Sequence, residues 1–195
     1  MVNIYLYMDR TSWISAVQAA NASAQVITED FEGATLQPGL TQTGGSIALQ
    51  IGGSGNNHVL VGAGLPSIFK LQPPNPLHAL TFDPLITAMG GDWDLSIGGT
   101  GRGLELDLVF HLGGGTQQQQ VFISNPLDMT TQTYTPFKGF FGFVADQPFQ
   151  TVIYWSADFT GDPESFALDN LSFVQSSERA RKFPTYRFKF VRKSR

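Results

Sequence analysis

Two pairs of acidic residues have the spacing that acid–base chemistry would need. Asp92 and Asp94, like Glu105 and Asp107, lie two residues apart in stretches that alternate apolar and polar residues. In an extended strand this spacing puts both carboxylates of a pair on one face, and glycoside hydrolysis uses two carboxylates that flank the scissile bond. An ordinary solvent-exposed strand face shows the same pattern, and we favour that interpretation.

Other residue types that commonly carry out chemistry are sparse. The chain has no cysteine, which excludes disulfides and thiolate metal sites, and its three histidines, His58, His78 and His111, are far apart in sequence. His111 follows Asp107 by four residues and would share its strand face. The glycine-rich segments lie between predicted strands and lack the Gly-Lys-Ser/Thr of a phosphate loop, and no nucleophile elbow is present. We therefore predict no catalytic residues and a non-enzymatic protein.

Short strands joined by glycine turns must position these side chains. The chain of 195 residues contains 21 glycines and 16 phenylalanines, and only 14% of its residues are charged. About ten short alternating runs at this spacing are typical of an all-β fold, here a jelly-roll-like antiparallel β-sandwich. The clearest predicted strands are 26–31, 46–51, 77–82, 86–97 with a bulge at Gly90-Gly91, 104–112, 117–123, 137–145, 148–157 and 165–174.

A single short helix is predicted near the N-terminus, over residues 12–20. Thr11 or Ser12 would cap it, and Trp13, Val17 and Ala20 would share its buried face. No run approaches the length of a membrane span, and the N-terminus lacks the basic and apolar regions of a signal peptide. We expect no membrane association.

Charge divides the chain into two parts. Residues 1–175 carry four cationic side chains against fifteen carboxylates, a net charge of −11, whereas residues 176–195 carry eight against one, a net charge of +7. An acidic body followed by a basic tail indicates that the tail has a partner of its own. We predict a β-sandwich head over 1–175 and an extended docking arm over 176–195.

The arm alternates like an amphipathic strand. Tyr186, Phe188 and Phe190 would face one way, and Arg187 and Lys189 the other. A lone strand of this kind gains stability by pairing with a foreign sheet edge. We do not expect nucleic acid to be the partner, because the head is strongly acidic. The alternative interpretation is that the tail has no fixed structure. The predicted docking residues are Arg181, Lys182, Phe183, Tyr186, Arg187, Phe188, Lys189, Phe190 and Arg192.

Acidic residues at strand ends suggest a structural calcium ion. The run Asp30-Phe31-Glu32-Gly33 ends one early strand, and the run Leu168-Asp169-Asn170-Leu171 lies in the last strand of the head. If the two strands are neighbours, carboxylate and carbonyl oxygens could hold one Ca²⁺ between them. The segment 158–164 is a second candidate, and ordinary solvent-facing acids are the alternative.

Several segments together resemble a known group of domains. The stretches YMDRTSWISAVQAA, VITEDFEG, LTFDPLITAMGGDWD, KGFFGFVADQPFQTVIYW and FALDNLSF occur in the order seen in exported bacterial β-sandwich domains of the PEP-CTERM-associated type. The resemblance covers about 170 residues and implies a jelly-roll-like fold with a surface or matrix-binding role. A further resemblance, to calcium-bearing jelly rolls, implies that Glu32 and Asp169 are the calcium ligands. The sequence departs from that group by lacking an export signal and a Pro-Glu-Pro sorting tail.

These observations lead to two functional hypotheses. The first is a structural assembly protein, a capsid decoration (cement) protein of a tailed bacterial virus. It would be a homo-oligomer assembled in the host cytoplasm, and its arm would dock on an acidic capsid protein in the virion. The alternative is a carbohydrate- or matrix-binding β-sandwich module at the cell surface or outside the cell, with or without a stabilising calcium ion. An enzyme ranks third.

Overall fold

The computed structural model describes residues 2–49, 57–66, 70, 78–97, 101–112, 115–158 and 163–176. Within these ranges the chain is mostly β-strand, with a single helix. Its elements, in chain order, are β1 (Ile4–Tyr7), α1 (Arg10–Ala20), β2 (Val26–Glu29), β3 (Leu40–Thr43), β4 (Ser46–Leu49), β5 (His58–Pro66), β6 (Ala79–Asp94), β7 (Gly103–Leu112), β8 (Gly115–Ser124), β9 (Leu127–Asp128), β10 (Thr133–Tyr134), β11 (Lys138–Ser156) and β12 (Glu164–Gln175).

The strands form a jelly-roll-like antiparallel β-sandwich, which confirms the fold class expected from the sequence. The hydrogen-bonded order is β3-β6-β12-β5-β11-β7-β8, and β1, β2 and β4 pair with β11, β12 and β5. Long strands serve both layers. The first half of β11 pairs with β1 and β6, and its second half pairs with β7. The contact of β11 with β5 is parallel and short.

The core lies between the two layers and is rich in aromatic rings. Trp93 packs on Tyr154 of β11 and Phe166 of β12, at ring-centroid distances of 6.2 and 5.5 Å. Each fully buried Leu or Phe side chain contributes about 1.5–3 kcal/mol to folding. The fully buried residues of this core include Leu80, Phe82, Ile86, Met89, Leu104, Leu106, Leu108, Phe110, Phe149, Val152 and Leu168.

The predicted N-terminal helix is present, with a different cap. It begins at Arg10, and Asp9 is the N-cap because its carboxylate accepts the backbone N–H of Ser12 at 2.8 Å. Trp13 and Val17 are buried as expected, whereas Ala20 is exposed because the helix ends there. The helix has 11 residues, which is too few to cross a membrane. Within the described part of the chain, no helix is long and apolar enough to span one.

Two pairs of predicted strands are in fact single strands. β6 runs continuously through the cis Asp83-Pro84 bond, and β11 joins the predicted strands 137–145 and 148–157. The bulge expected at Gly90-Gly91 is absent against β11, where the register is continuous. It lies instead in β12, between Asp169 and Ser172, where Asn170 adopts a left-handed φ of 47°.

A buried hydroxyl group gives a first stability prediction. The Tyr154 side chain is buried, its hydroxyl has no hydrogen-bond partner among the described residues, and burial raises the pKa of Tyr154 well above its ordinary value. Tyr154→Phe removes a desolvated polar group and keeps the ring, so we expect the free energy of unfolding to rise by about 1 kcal/mol. Urea denaturation measures the change. Tyr134→Phe, at a half-buried position, is the control and should leave stability unchanged. A loss of stability in Tyr154→Phe would show that the hydroxyl has a favourable partner.

Candidate functional site

Strand alternation divides β7 into a core face and a solvent-side face. Leu104, Leu106 and Leu108 point into the core. Glu105 and Asp107 therefore point to the opposite side, as the sequence spacing predicted. We call this side of β7, β8 and the second half of β11 the outer face. Its members are Glu105, Asp107, Val109, Gln118, Gln120, Phe122, Thr151, Ile153 and Trp155.

Antiparallel register arranges these side chains in rows across the three strands. Glu105 is paired with Phe122 on one side and with Trp155 on the other, and Asp107 is paired with Gln120 and Ile153. Directly paired residues in a sheet have Cβ atoms about 5 Å apart. Two carboxylates, one amide and two aromatic rings therefore share a small area.

Exposure differs sharply across the outer face. On β8 the outward residues Gln118, Gln120 and Phe122 are exposed, with Phe122 at 44%, while Val121 is buried. On β7 and β11, Glu105 and Trp155 are only 4% and 3% exposed. The outer face thus has an accessible polar and aromatic rim along β8 beside a buried charged centre.

Lys70 occupies that centre. Its Nζ lies 2.5 Å from Glu105 Oε1 and 3.2 Å from Asp107 Oδ2, and 5.6 Å from the centroid of the Trp155 ring. Lys70 lies outside the strands, in the connection between β5 and β6. Two carboxylates and an aromatic face thus hold one ammonium group, a combination of charge-assisted hydrogen bonds and a cation–π contact.

Burial strongly affects the electrostatics of this cluster. Removal from water raises the pKa of Glu105, the neighbouring Asp107 charge adds to the effect, and the Lys70 ammonium opposes it. With both acids ionised, one negative charge is left unbalanced by Lys70. In addition, the indole N–H of Trp155 is buried and has no hydrogen-bond partner among the described residues.

The second acid pair serves to connect elements of the fold. Asp92 forms an ion pair with Arg10 of α1 at 3.1 Å, and Arg10 also lies over the Phe140 ring, 4.7 Å from its centroid. Asp94 pairs with Lys138 at 2.8 Å, which helps to lower the pKa of Asp94 although burial acts in the opposite direction. These contacts bind the helix and neighbouring strands together.

The histidines are separated in the structure, as expected. His58 Nδ1 lies 2.9 Å from Glu32, and His78 Nδ1 lies 2.7 Å from the carbonyl oxygen of Ala63. His111 is on β7, paired with Thr116. No group of three or more His, Cys, Asp or Glu side chains within the described ranges is arranged to hold a metal ion.

The predicted calcium ligands contact adjacent residues of one segment. Glu32 accepts hydrogen bonds from His58, which lower the pKa of Glu32, and Asp169 accepts one from Asn57 at 3.0 Å. The strands that precede Glu32 and contain Asp169 are neighbours, since β2 pairs with β12. Both carboxylates are therefore engaged by N–H donors, and a calcium ion at this position stays a prediction.

The second candidate segment for calcium is described only at its ends. Asp158 pairs with Arg102 at 3.2 Å, and Glu164 lies 3.4 Å from the Asn125 amide. Burial raises the pKa of Glu164, and the Asp158 charge adds to that effect. The intervening residues 159–162 lie outside the described residues.

The docking arm lies outside the described residues beyond Ser176. Arg181, Lys182, Phe183, Tyr186, Arg187, Phe188, Lys189, Phe190 and Arg192 all belong to this segment. Their role as an arm, and the capsid partner inferred from it, stay predictions.

Sequence reasoning missed Lys70 and Trp155 as partners of the acid pair. A usable signal was present, because the head contains only four cationic residues and two acids on one face of a central strand need a cation. Trp155 follows Ile153 by two residues, which places it on the outer face of β11. Only the strand order shows that this face adjoins Glu105.

No family model and no curated protein matches this chain. Among solved structures it is similar to the CBM22-1 xylan-binding domain of Paenibacillus barcinonensis Xyn10C, with 16% identity, a TM-score of 0.48, and coverage of 79% of this chain and 97% of that one. It is also similar to a non-crystalline cellulose specific carbohydrate-binding module, CBM28, with 15% identity, a TM-score of 0.36, and coverage of 74% and 91%.

A third similarity is to a family two carbohydrate esterase from Cellvibrio japonicus. The identity is 13% and the TM-score is 0.32, and the match covers 79% of this chain and 34% of the esterase. At identities of 13–16%, all three likenesses concern the fold alone.

Proposed function

We propose that this chain is a non-catalytic carbohydrate-binding β-sandwich module that holds a glycan along the outer face. The observation that carries the proposal is the exposed row of Gln118, Gln120 and Phe122 on β8, directly beside Glu105 and Asp107. Alternate residues of a strand are about 6.6 Å apart, so this row offers a linear set of contacts.

The chemistry of the row suits a sugar chain. The exposed glutamine amides both donate and accept hydrogen bonds, as sugar hydroxyl groups do. The exposed ring of Phe122 offers a flat apolar surface to the C–H face of a sugar ring. Phe122 is one of nine exposed large apolar side chains among the described residues, and it lies in line with Gln118 and Gln120 on β8.

The geometry of the acid pair favours binding over hydrolysis. Glycosidases leave room between their two carboxyl groups for the sugar, and in inverting enzymes for a water molecule. Here the Lys70 ammonium lies against both Glu105 and Asp107. In this arrangement the acids neutralise a cation, and they are not free to act as an acid and a nucleophile.

The capsid-decoration hypothesis depends on residues 176–195 and stays a prediction. A glycan-binding module would act where polysaccharides are found, at a cell surface or outside the cell. The proposal therefore favours the alternative setting inferred from the sequence.

Substitution of Phe122 tests the proposal. Affinity electrophoresis against soluble neutral polysaccharides (xylan, mixed-linkage glucan and mannan) should identify at least one that retards the wild-type chain. Phe122→Ala should weaken that binding about tenfold, which corresponds to about 1.4 kcal/mol of lost ring contact. Its melting temperature should stay near that of the wild type because the side chain is exposed.

Leu127→Ala is the matched control. Leu127 is 39% exposed, close to the value for Phe122, and lies on β9 outside the outer face. Its replacement should leave binding unchanged. Equal binding by Phe122→Ala and wild type, or no retardation by any glycan, would overturn the proposal.

A further inference from the structure

We propose that two copies of this chain pair through β8, with the two strands antiparallel and a twofold axis at Gln120. β8 lies at one end of the strand order, and among the described residues it pairs with β7 alone. The open edge of a sheet offers a row of backbone N–H and C=O groups to another strand. The occupant of this edge would be the same edge of a second copy.

Length distinguishes β8 from the other edges of the sheet. It has ten residues, and its ladder with β7 shows no register shift. Within the described ranges, the other strands of this sheet that pair on one side only have four residues each; they are β1, β2, β3 and β4. Proteins commonly protect an edge by a short strand, a bulge, a proline or a lysine. β8, with the sequence GTQQQQVFIS, has none of these.

Hydrogen bonds identify which residues of β8 face the open side. The Asn125 N–H donates to the Arg102 carbonyl oxygen at 2.9 Å, one residue beyond the pair of Gly103 with Ser124. Along an antiparallel ladder, pairs that exchange hydrogen bonds alternate with pairs that do not. Every second residue of β8 therefore directs its N–H and C=O away from β7. These residues, all with exposed side chains, are Thr116, Gln118, Gln120, Phe122 and Ser124.

The open-side residues are arranged symmetrically about Gln120. A twofold axis at Gln120 places Gln118 opposite Phe122 of the second copy, and Thr116 opposite Ser124, so that every open-side residue is paired. Each pair exchanges two hydrogen bonds, which gives about ten in total, the usual number for a protein interface. An axis one residue away in either direction would leave one open-side residue of each copy unpaired.

Charge and side-chain chemistry favour pairing of this edge with itself. Residues 1–175 carry a net charge of −11, so two copies repel each other over much of their surfaces. β8 carries no charged side chain. A glutamine amide both donates and accepts hydrogen bonds, so it can bond to an identical amide. The edge is therefore self-complementary, as a twofold interface requires.

Pairing would join the outer faces of the two copies. Directly paired residues of neighbouring strands lie on the same face of a sheet, so Phe122 of each copy would lie beside Gln118 of the other. Each copy would thus add side chains to the glycan-binding row proposed for its partner. The pairing itself does not depend on a glycan and is tested without one.

Sedimentation velocity of the full chain, over a concentration series, should show a monomer–dimer equilibrium. Gln120→Lys puts like charges on paired positions whose Cβ atoms are about 5 Å apart, and should weaken dimerisation at least tenfold. Gln18→Lys is the matched control, because Gln18 is an exposed glutamine on α1 and its replacement adds the same charge away from β8. Both variants should keep the wild-type melting temperature because both side chains are exposed.

Single cysteine residues test the position of the axis. The chain has no cysteine, so each variant carries one thiol. In Gln120→Cys the two thiols lie on paired residues with Cα atoms about 5.5 Å apart, within the range that a disulfide spans, and mild oxidation should link them. In Gln118→Cys the two residues lie about 13 Å apart along the strands, so this variant should stay unlinked.

A full chain that stays monomeric at the highest concentration reached would overturn the inference, whether its edge is open or taken by another segment of the chain. Equal dimerisation of Gln120→Lys and Gln18→Lys, or linkage of Gln118→Cys in preference to Gln120→Cys, would also overturn it. Because glycan is absent, a negative result leaves the proposed function standing. Failure to bind any glycan would likewise leave the dimer standing.

Discussion

Gly103→Ala is expected to lower the free energy of unfolding by about 3 kcal/mol or more. Gly103 begins β7 with a φ of 118°, a backbone conformation that L-residues rarely adopt and that costs them about 1–3 kcal/mol. A Cβ atom at this position would lie 2.0 Å from the carbonyl oxygen of Ile123 and 3.0 Å from the backbone nitrogen of Asn125. Both are backbone atoms of the facing segment, so relief requires the β7–β8 pairing to shift.

The shift would also affect the candidate site. β7 carries Glu105 and Asp107, and the carbonyl oxygen of Gly103 accepts the backbone N–H of Ala157 at 2.8 Å. Displacement of the start of β7 therefore moves both acids relative to Trp155. We expect any glycan binding by Gly103→Ala to weaken along with its stability.

Gly115→Ala provides the control for this prediction. Gly115 lies at the start of the partner strand β8, and among the described residues an added Cβ would meet only the Leu112 carbonyl oxygen, at 3.9 Å. Its effect should lie within about 0.5 kcal/mol of zero. Chemical denaturation of both variants makes the comparison, and equal stabilities would show that the close approach at Gly103 is relieved without cost.

Trp13→Ala is expected to lower the free energy of unfolding by about 3–5 kcal/mol. The Trp13 side chain is fully buried, and its indole N–H donates to the carbonyl oxygen of Phe143 at 3.1 Å. Its ring also contacts Phe140, with centroids 5.9 Å apart. Trp13 and Val17 are the buried residues of α1, so loss of the indole removes the larger of its two buried apolar anchors on the sheet.

Hydrogen exchange can separate helix detachment from general unfolding. In Trp13→Ala the amides of α1 should exchange faster than those of β7, because an 11-residue helix is marginal without tertiary packing. Ile14→Ala is the control, since Ile14 is half-buried on the same helix and should cost less than about 1.5 kcal/mol. Similar losses for the two variants would contradict the role of Trp13 as the anchor of α1.

Local patterns were sufficient to predict much of the fold. Period-two alternation over residues 104–112 predicted β7 and placed Glu105 and Asp107 together on one face, because strand geometry alone sets that relation. The same reasoning predicted β8. The helix was predicted because Trp13 and Val17 are four residues apart, which is one helical turn.

Some features depended on pairing between distant residues. A prediction from the local sequence ends the strand at Asp83-Pro84. In the structure β6 continues through these residues, and its two halves pair with different partners, β3 and β11. The bulge was predicted at Gly90-Gly91 and is found in β12 for a related reason. The ladder register is a property of two strands, so the sequence of one strand cannot decide which of them carries the extra residue.

The candidate site itself was decided by the tertiary structure. By itself, the sequence determined that two acids share a face of β7. That Lys70 contacts both of them, from 35 and 37 residues away along the chain, follows from how the strands are ordered. The same is true of Trp155, which meets Glu105 because β11 lies beside β7. Contacts across a sheet carry no local sequence signal, because the free energy that selects them comes from burial and pairing over the whole core.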